Sequence, residues 1–346
     1  MCRTRIYIGS VLALVAVLAA GCSHATTPRK AEPVVQVTTP SPLPVVQPTS
    51  DLVPWHGPVE ELFVHPLVLD PKLAFTSDSL GIGFQNYFVT AREFHALLDQ
   101  LWANGWTLVD VHGAAAGTVR VPRGRKPLVL VEDDVNYYKY FDGRGLARRL
   151  MLDPEGRIRA ELPGPIRSTE DVVTMVDRAV RTHPEFSADG AKGVLALTGY
   201  EGLFGEHDLT QPAARQRVLA LARALRVDGW TFASHTYGHI DLSRNGWGTV
   251  QRDTRRWRDQ ARPLLGPVDI LVYPYGARPS REVTADLVRA GFPIQLDIDI
   301  VAKHERYAGA IIMSRRHVDG FAFDAPDRQR PFYDVAAVRD PLRPPG

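Results

Sequence analysis

Four branched apolar residues, Leu128-Val129-Leu130-Val131, run directly into three acids, Glu132-Asp133-Asp134, followed by Val135-Asn136-Tyr137-Tyr138. A run that apolar reads as a strand buried on both faces. Three successive carboxylates cannot extend it into a core, because desolvating them unpaired costs too much. The strand therefore ends at the acids, at a surface or a cleft. In barrels and open α/β sheets, sites are built at the carboxyl ends of strands. The alternative is that the acids merely cap a helix or face water.

The start of the chain has a different character. Arg3 and Arg5 precede an apolar stretch, Ile6 to Ala20, that is short for a membrane span. Leu18-Ala19-Ala20-Gly21-Cys22 has the small residues and the Cys of a bacterial lipobox. Residues 1–22 are thus expected to be a lipoprotein signal peptide, with Cys22 the lipidation site. A plain signal peptide or an N-terminal anchor helix is the alternative. Residues 23–50 read as a Pro/Thr-rich linker, a semi-rigid spacer. The expected location is exported, anchored by lipid to the outer face of the cytoplasmic membrane. The only cysteines are Cys2 and Cys22, so a domain over 51–346 has no disulfide and relies on its core. With 45% hydrophobic residues it can build one. A net charge of +2 without basic runs argues against nucleic acid.

From residue 51 onward, strands and helices alternate. Leu62–Val68 is a candidate strand. Thr90-Ala91-Arg92-Glu93 forms a capping box before Phe94, Leu97, Leu98, Leu101 and Trp102 at helical spacing. Further strands are expected at 107–111, 127–131, 193–197, 231–234, 269–273, 294–298 and 310–313. Helices are expected from the Ser168 cap to His183, and over 212–227, 248–265 and 280–290. Residues 150–162 read as a β-hairpin turning at Asp153–Gly156, a wall or lid near the acids. The whole predicts an α/β fold: a single distorted (β/α) barrel of about seven strands with a hairpin insertion.

Other segments carry chemistry at predicted strand ends. Ser234-His235-Thr236-Tyr237-Gly238-His239 places two imidazoles at i and i+4, on one face if the segment turns helically. A carboxylate with two neutral imidazoles leaves open positions, as a catalytic zinc requires. Chance pairing is a real alternative for HxxxH alone, since the chain has 11 His. Tyr273-Pro274-Tyr275-Gly276 reads as a strand exit. Asp297 and Asp299 share a strand face, and Arg315, Arg316 and His317 follow another strand.

Asp133-Asp134, then His235-Thr236-x-x-His239, then Pro274-Tyr275-Gly276, in that order, resemble the NodB-type polysaccharide deacetylases, carbohydrate esterase family 4. The resemblance spans about residues 60–320 and implies a divergent member. It implies Asp133 as catalytic base, Asp134, His235 and His239 as ligands of a divalent metal (Zn2+, with Co2+ or Ni2+ as alternatives), and Tyr275 at the oxyanion. His317 would be the general acid, with Asp297 or Asp299 beside it. Two departures stand out. Val131-Glu132-Asp133-Asp134-Val135 keeps only the Asp pair of the first motif. Val272 stands where the family has an Arg that orients the base, a part Arg315 or Arg316 could take from another strand. Asn136, Tyr137 and Tyr138 suit sugar binding, or else packing. The implied activity is metal-dependent removal of N- or O-linked acetyl groups from a cell-envelope or environmental polysaccharide by a monomer. The alternatives are a catalytically impaired glycan-binding lipoprotein and a hydrolase of another bond.

Overall fold

The computed structural model describes residues 51–164 and 166–345. The expected signal segment and linker, with Cys22, lie outside the described residues.

Seven parallel strands close into a ring: β1 (Glu60–Val64), β2 (Lys126–Glu132), β3 (Gly193–Leu197), β4 (Trp230–Ser234), β5 (Ile270–Val272), β6 (Ile294–Ile298) and β7 (Ala310–His317). Closure comes from β7, which pairs with β6 through Ile311–Arg315 and with β1 through Arg316 and His317. This is the expected (β/α) barrel. Two short strands distort it. Trp106–Leu108 joins the start of β2, and His304–Tyr307 pairs antiparallel with the start of β7.

Alternation sorts the barrel side chains. Val129, Val131, Val194, Ala196, Ala233, Val272, Leu296 and Met313 form the interior cluster. Leu128, Leu130, Leu195, Leu197, Phe232, Leu271 and Ile312 face outward into the helical layer. That layer includes α1 (Ala91–Ala103), α2 (Val172–Thr182), α3 (Pro212–Val227), α4 (Trp247–Gln260) and α5 (Arg281–Arg289). The capping box at Thr90 and Glu93 is formed as expected. The cap of α2 is Asp171, not Ser168, because Ser168 lies in a short strand of the insertion. The long helix expected over 248–265 breaks at Ala261, where Pro263 cannot continue the ladder and a separate turn, Arg262–Leu265, begins.

The insertion is a three-stranded meander, Arg149–Leu152, Ile158–Glu161 and Arg167–Ser168, one strand more than the hairpin expected. Leu150 and Ala160 belong to the outer core with the helices. Arg149 pairs with Glu206, and the Leu150 N–H donates to the Phe204 carbonyl at 3.1 Å. The meander thus braces the outer layer and the loop after β3; it is not a lid over the acids.

Candidate metal and catalytic site

The carboxyl ends of the strands gather Asp133 and Asp134 after β2, His235 and His239 after β4, Tyr275 after β5, and Arg315 and His317 on β7. Backbone strain concentrates there. Asp134, Thr236, His239 and Tyr275 all have left-handed φ, between 51° and 59°, a conformation that costs non-glycine residues energy and persists where the surroundings impose it.

Strand β2 keeps its alternation as far as Asp133, whose side chain enters the barrel interior below Asp134. Asp133 is 3% exposed. Arg315, itself 0% exposed, donates from Nη1 to Asp133 Oδ1 at 2.6 Å. Burial raises the Asp133 pKa, but the Arg315 guanidinium, through its charge and its hydrogen bond, is the main opposing influence, and the carboxyl is held below the usual aspartate range. Arg316 alternates to the outer side and pairs with Glu60. Of the two arginines offered by the sequence, it is Arg315 that reaches Asp133.

Left-handed Asp134 turns the chain out of the strand. Its Oδ1 lies 4.0 Å from His235 Nε2 and 3.9 Å from His239 Nε2. One ligand atom from each of the three residues falls within 4.8 Å of the others. His235 turns Nδ1 toward the Val272 carbonyl at 3.0 Å. A carbonyl only accepts, so Nδ1 carries the proton and Nε2 keeps its lone pair on the Asp134 side. Val272, where the family Arg is missing, thus orients a histidine through its backbone. His239 is pushed down to about 4, chiefly by burial, and is neutral at pH 7. A carboxylate and two imidazoles, one ring fixed by a carbonyl, are a donor set that fits a divalent cation.

The two histidines do not share a helical face. Residues 235–240 form a loop, with Thr236 and His239 left-handed. Asp253 of α4 gathers it, accepting from the N–H of Tyr237 at 2.6 Å and of Gly238 at 2.8 Å. The imidazole centroids come within 4.8 Å, and Tyr275 packs against His239 at 4.6 Å with 68% of its surface exposed.

Strand β7 carries His317 on the same face as Arg315, one pleat nearer the mouth. Its Nδ1–H donates to Asp319 at 3.0 Å. Asp319 also accepts from Ala322 N–H, which fixes the carboxylate. The expected partners are elsewhere. Ile294, Leu296 and Ile298 take the interior positions of β6, so Asp297 points outward to Arg278, and Asp299 lies beyond the strand, paired with Lys303.

Asn136 and Tyr137 do not face a substrate. The turn at Asp134 carries them inward. Asn136 is 0% exposed, with its amide spent on Thr198 and Gly202, and Tyr137 is buried and donates to Asp171 at 2.5 Å. Tyr138 is the one of the three that meets the site: its hydroxyl donates to Asp134 Oδ1 at 2.7 Å and contacts Thr198 at 3.0 Å. Glu132 faces outward and is fully buried without a hydrogen-bond partner among the described residues. Burial, with Asp171 and Asp133 nearby, pushes its pKa well up from the usual glutamate value.

His65, directly after β1, falls inside the strand expected over Leu62–Val68, and no sequence signal marks it as a residue of the mouth. It lies in an aromatic belt at the mouth. Tyr200 stacks on Tyr138 at 5.0 Å and Tyr138 on Tyr140 at 5.3 Å. The contacts continue from Tyr140 to Phe141, Phe88 and His65, then through Phe63 to His317.

No protein-family model matches the chain, and no curated protein matches it. Solved structures similar to it are polysaccharide deacetylases. IcaB from Ammonifex degensii is 16% identical over 82% of this chain and 97% of its own, with a TM-score of 0.47. The Streptococcus pyogenes deacetylase PplD in complex with acetate is 12% identical over 76% and 93%, with a TM-score of 0.45. A polysaccharide deacetylase from Bacillus cereus is 14% identical over 78% and 68%, also at 0.45. At such values the likeness decides nothing about the site, whose geometry stands on its own.

Proposed function

We propose that this chain is a metal-dependent carbohydrate deacetylase, which hydrolyses N- or O-linked acetyl groups on a cell-envelope or environmental polysaccharide. The observation that carries the reading is a buried, arginine-held carboxylate, Asp133, directly beside a three-donor pocket of Asp134, His235 and His239. The order of these residues in the sequence supports it too.

A divalent metal, Zn2+ first and Co2+ or Ni2+ as alternatives, would be held by Asp134, His235 and His239 and would supply Lewis-acid polarisation of an acetyl carbonyl. The protein does the rest. Asp133 is ionised at neutral pH and takes the proton of the attacking water. Arg315 fixes its carboxylate and keeps it charged. His317, with Nδ1–H spent on Asp319, presents Nε2 and hands a proton to the leaving amine or alkoxide. Tyr275, at the mouth, would offer its backbone N–H to the developing oxyanion.

The alternative of a glycan-binding fold without activity drew its support from Val272. Arg315 beside Asp133 supplies a partner for the base from another strand, which favours the active reading. The leader reading further places the protein on the outer face of the cytoplasmic membrane through lipid on Cys22; metabolic labelling with a fatty-acid analogue should vanish in Cys22→Ala.

Acetate release from acetylated glycans, with the protein loaded with Zn2+, Co2+ or Ni2+, tests the activity. Release is expected with at least one metal. Asp133→Asn should abolish it while binding metal stoichiometrically, and His235→Ala should lose the metal. Full activity in Asp133→Asn, or no release under any loading, would overturn the reading.

A further inference from the structure

Helix α4 has two unlike sides. Val250, Thr254 and Trp257 bury the inner one. On the outer side Arg255 and Arg258 lie one turn apart, and Arg262 extends their row just past the break at Ala261. All three line a groove of about 620 Å3 between α4 and α5, with Arg289 on its other wall. Elsewhere arginines are matched: Arg149, Arg278, Arg316 and Arg343 each lie against a carboxylate. Arg255, Arg258 and Arg262 form no ion pair among the described residues, although Asp259 shares the groove with them. Asp286, the other acid there, is taken by Arg289. Like charges one turn apart on a helix repel and destabilise it. A seam between two amphipathic helices is ordinarily closed by apolar side chains. This seam is neither closed nor balanced in charge.

Four arginines against two aspartates stand out in a chain whose net charge is only +2. A concave slot with protein walls focuses that potential and attracts anions. Its shape selects among them. Guanidinium groups spread along a helix face a line, so a single small anion meets only one or two of them, and a flat bilayer cannot enter a seam between helices. Arginine pairs bidentately with phosphate oxygens. The lining has one aromatic residue, Trp247, so successive nucleobases would find no stacking platform. We propose that the groove between α4 and α5 binds a linear polyol or glycan phosphate, a polymer whose anionic groups sit in its phosphodiester backbone. Through Asp253 the same helix gathers the loop of His235 and His239, so the bound polymer lies along the barrel wall beside the element that carries those donors. No groove residue belongs to the metal and catalytic site, and binding here is independent of turnover.

The test is calorimetric titration of the full chain with a poly(glycerol phosphate) decamer at low salt. The decamer should bind, and added salt should weaken it steeply. Inorganic phosphate should bind about tenfold or more weakly, since it engages fewer arginines. Arg255→Gln combined with Arg258→Gln should weaken the decamer about tenfold, and Asp259→Asn should tighten it. These side chains are exposed, so the fold does not depend on them. Arg223→Gln combined with Arg328→Gln removes the same charge from exposed positions elsewhere and should leave affinity unchanged. A decamer that does not bind, or an equal loss in the Arg223 and Arg328 pair, would overturn the site. Tighter binding of a single-stranded oligonucleotide of equal charge, or equal binding of phosphatidylglycerol vesicles, lost in the Arg255 and Arg258 pair, would overturn the polymer as its occupant.

Discussion

Arg315 Nη1 and Asp133 Oδ1 meet at 2.6 Å inside the barrel, with the guanidinium carbon 4.5 Å above the ring of Phe63. The two residues are 182 positions apart in the chain, and barrel closure by β7 is what joins them. A buried ion pair of this kind contributes little net stability relative to an apolar pair, but removing one partner strands the other. The consequence here is functional: it sets the charge state of the proposed base.

Replacing Arg315 by Met should therefore raise the pKa of Asp133, since burial alone pushes that carboxyl up. The base works only when ionised. In the wild type the acid limb of kcat/KM should lie below the ordinary aspartate range, and in Arg315→Met it should move up toward neutrality. The maximum should fall by about 100-fold, the scale of a lost general base. A profile whose acid limb does not move would separate Arg315 from the role of Asp133.

Tyr138→Phe removes one hydroxyl and keeps the ring between Tyr140 and Tyr200. The hydroxyl donates to the same oxygen of Asp134 that faces both histidines. Partners of ligating carboxylates typically tune metal affinity by about 10–100-fold. A loss in that range is expected in competition with a chelator. Unchanged affinity would leave Tyr138 a packing residue only.

Asp134, His235 and His239 were legible because each follows an apolar strand within a few residues, and strand ends in a closed parallel barrel share one face. What escaped depended on the turns. The left-handed φ of Asp134, 59°, sends Asn136 and Tyr137 inward, and nothing in their residue types announces that. The role of Asp253 escaped for the same reason, since it acts only because 235–240 is a loop. The choice between Arg315 and Arg316 was closer to the surface. Alternation from Met313 puts Arg315 and His317 inside and Arg316 outside, but only once β7 is known to run to His317, four residues beyond its apolar part.

On the opposite end of the barrel, His112 links Asp110, at 3.6 Å from Nδ1, to Asp269, at 2.9 Å from Nε2. The two flanking carboxylates, Asp110 and Asp269, push its pKa up to about 10. A histidine raised above its unfolded value of about 6.5 stabilises fully below that value and loses the contribution as pH rises toward 10. His112 is 43% exposed, so screening limits the effect to about 1 kcal/mol or less. Urea unfolding should show His112→Gln less stable than wild type at pH 6, with the gap closing by pH 10. A gap that widens with pH would contradict a protonated bridge.

Glu93 does more than complete the capping box of α1. Besides accepting from the Thr90 N–H at 2.8 Å, its carboxylate takes the Asp340 N–H at 3.0 Å and two donors of Arg343 at 2.6 Å each. The remaining reach of Arg343 goes to the carbonyls of Gln85 and Phe88. Glu93 and Arg343 are 0% and 2% exposed, so water cannot replace either partner. Arg343→Ala leaves a buried carboxylate and two carbonyls short of donors, which should cost about 3–5 kcal/mol in urea unfolding. Arg343→Lys, with one ammonium in place of a planar fork, should recover only part of that. Because Phe88 packs on His65 at 5.1 Å, the same substitution should loosen the mouth and raise KM for glycan before it affects kcat. A variant with wild-type stability would mean that the C-terminal segment is held by its apolar contacts, Val335 and Val338, and not by the ion pair.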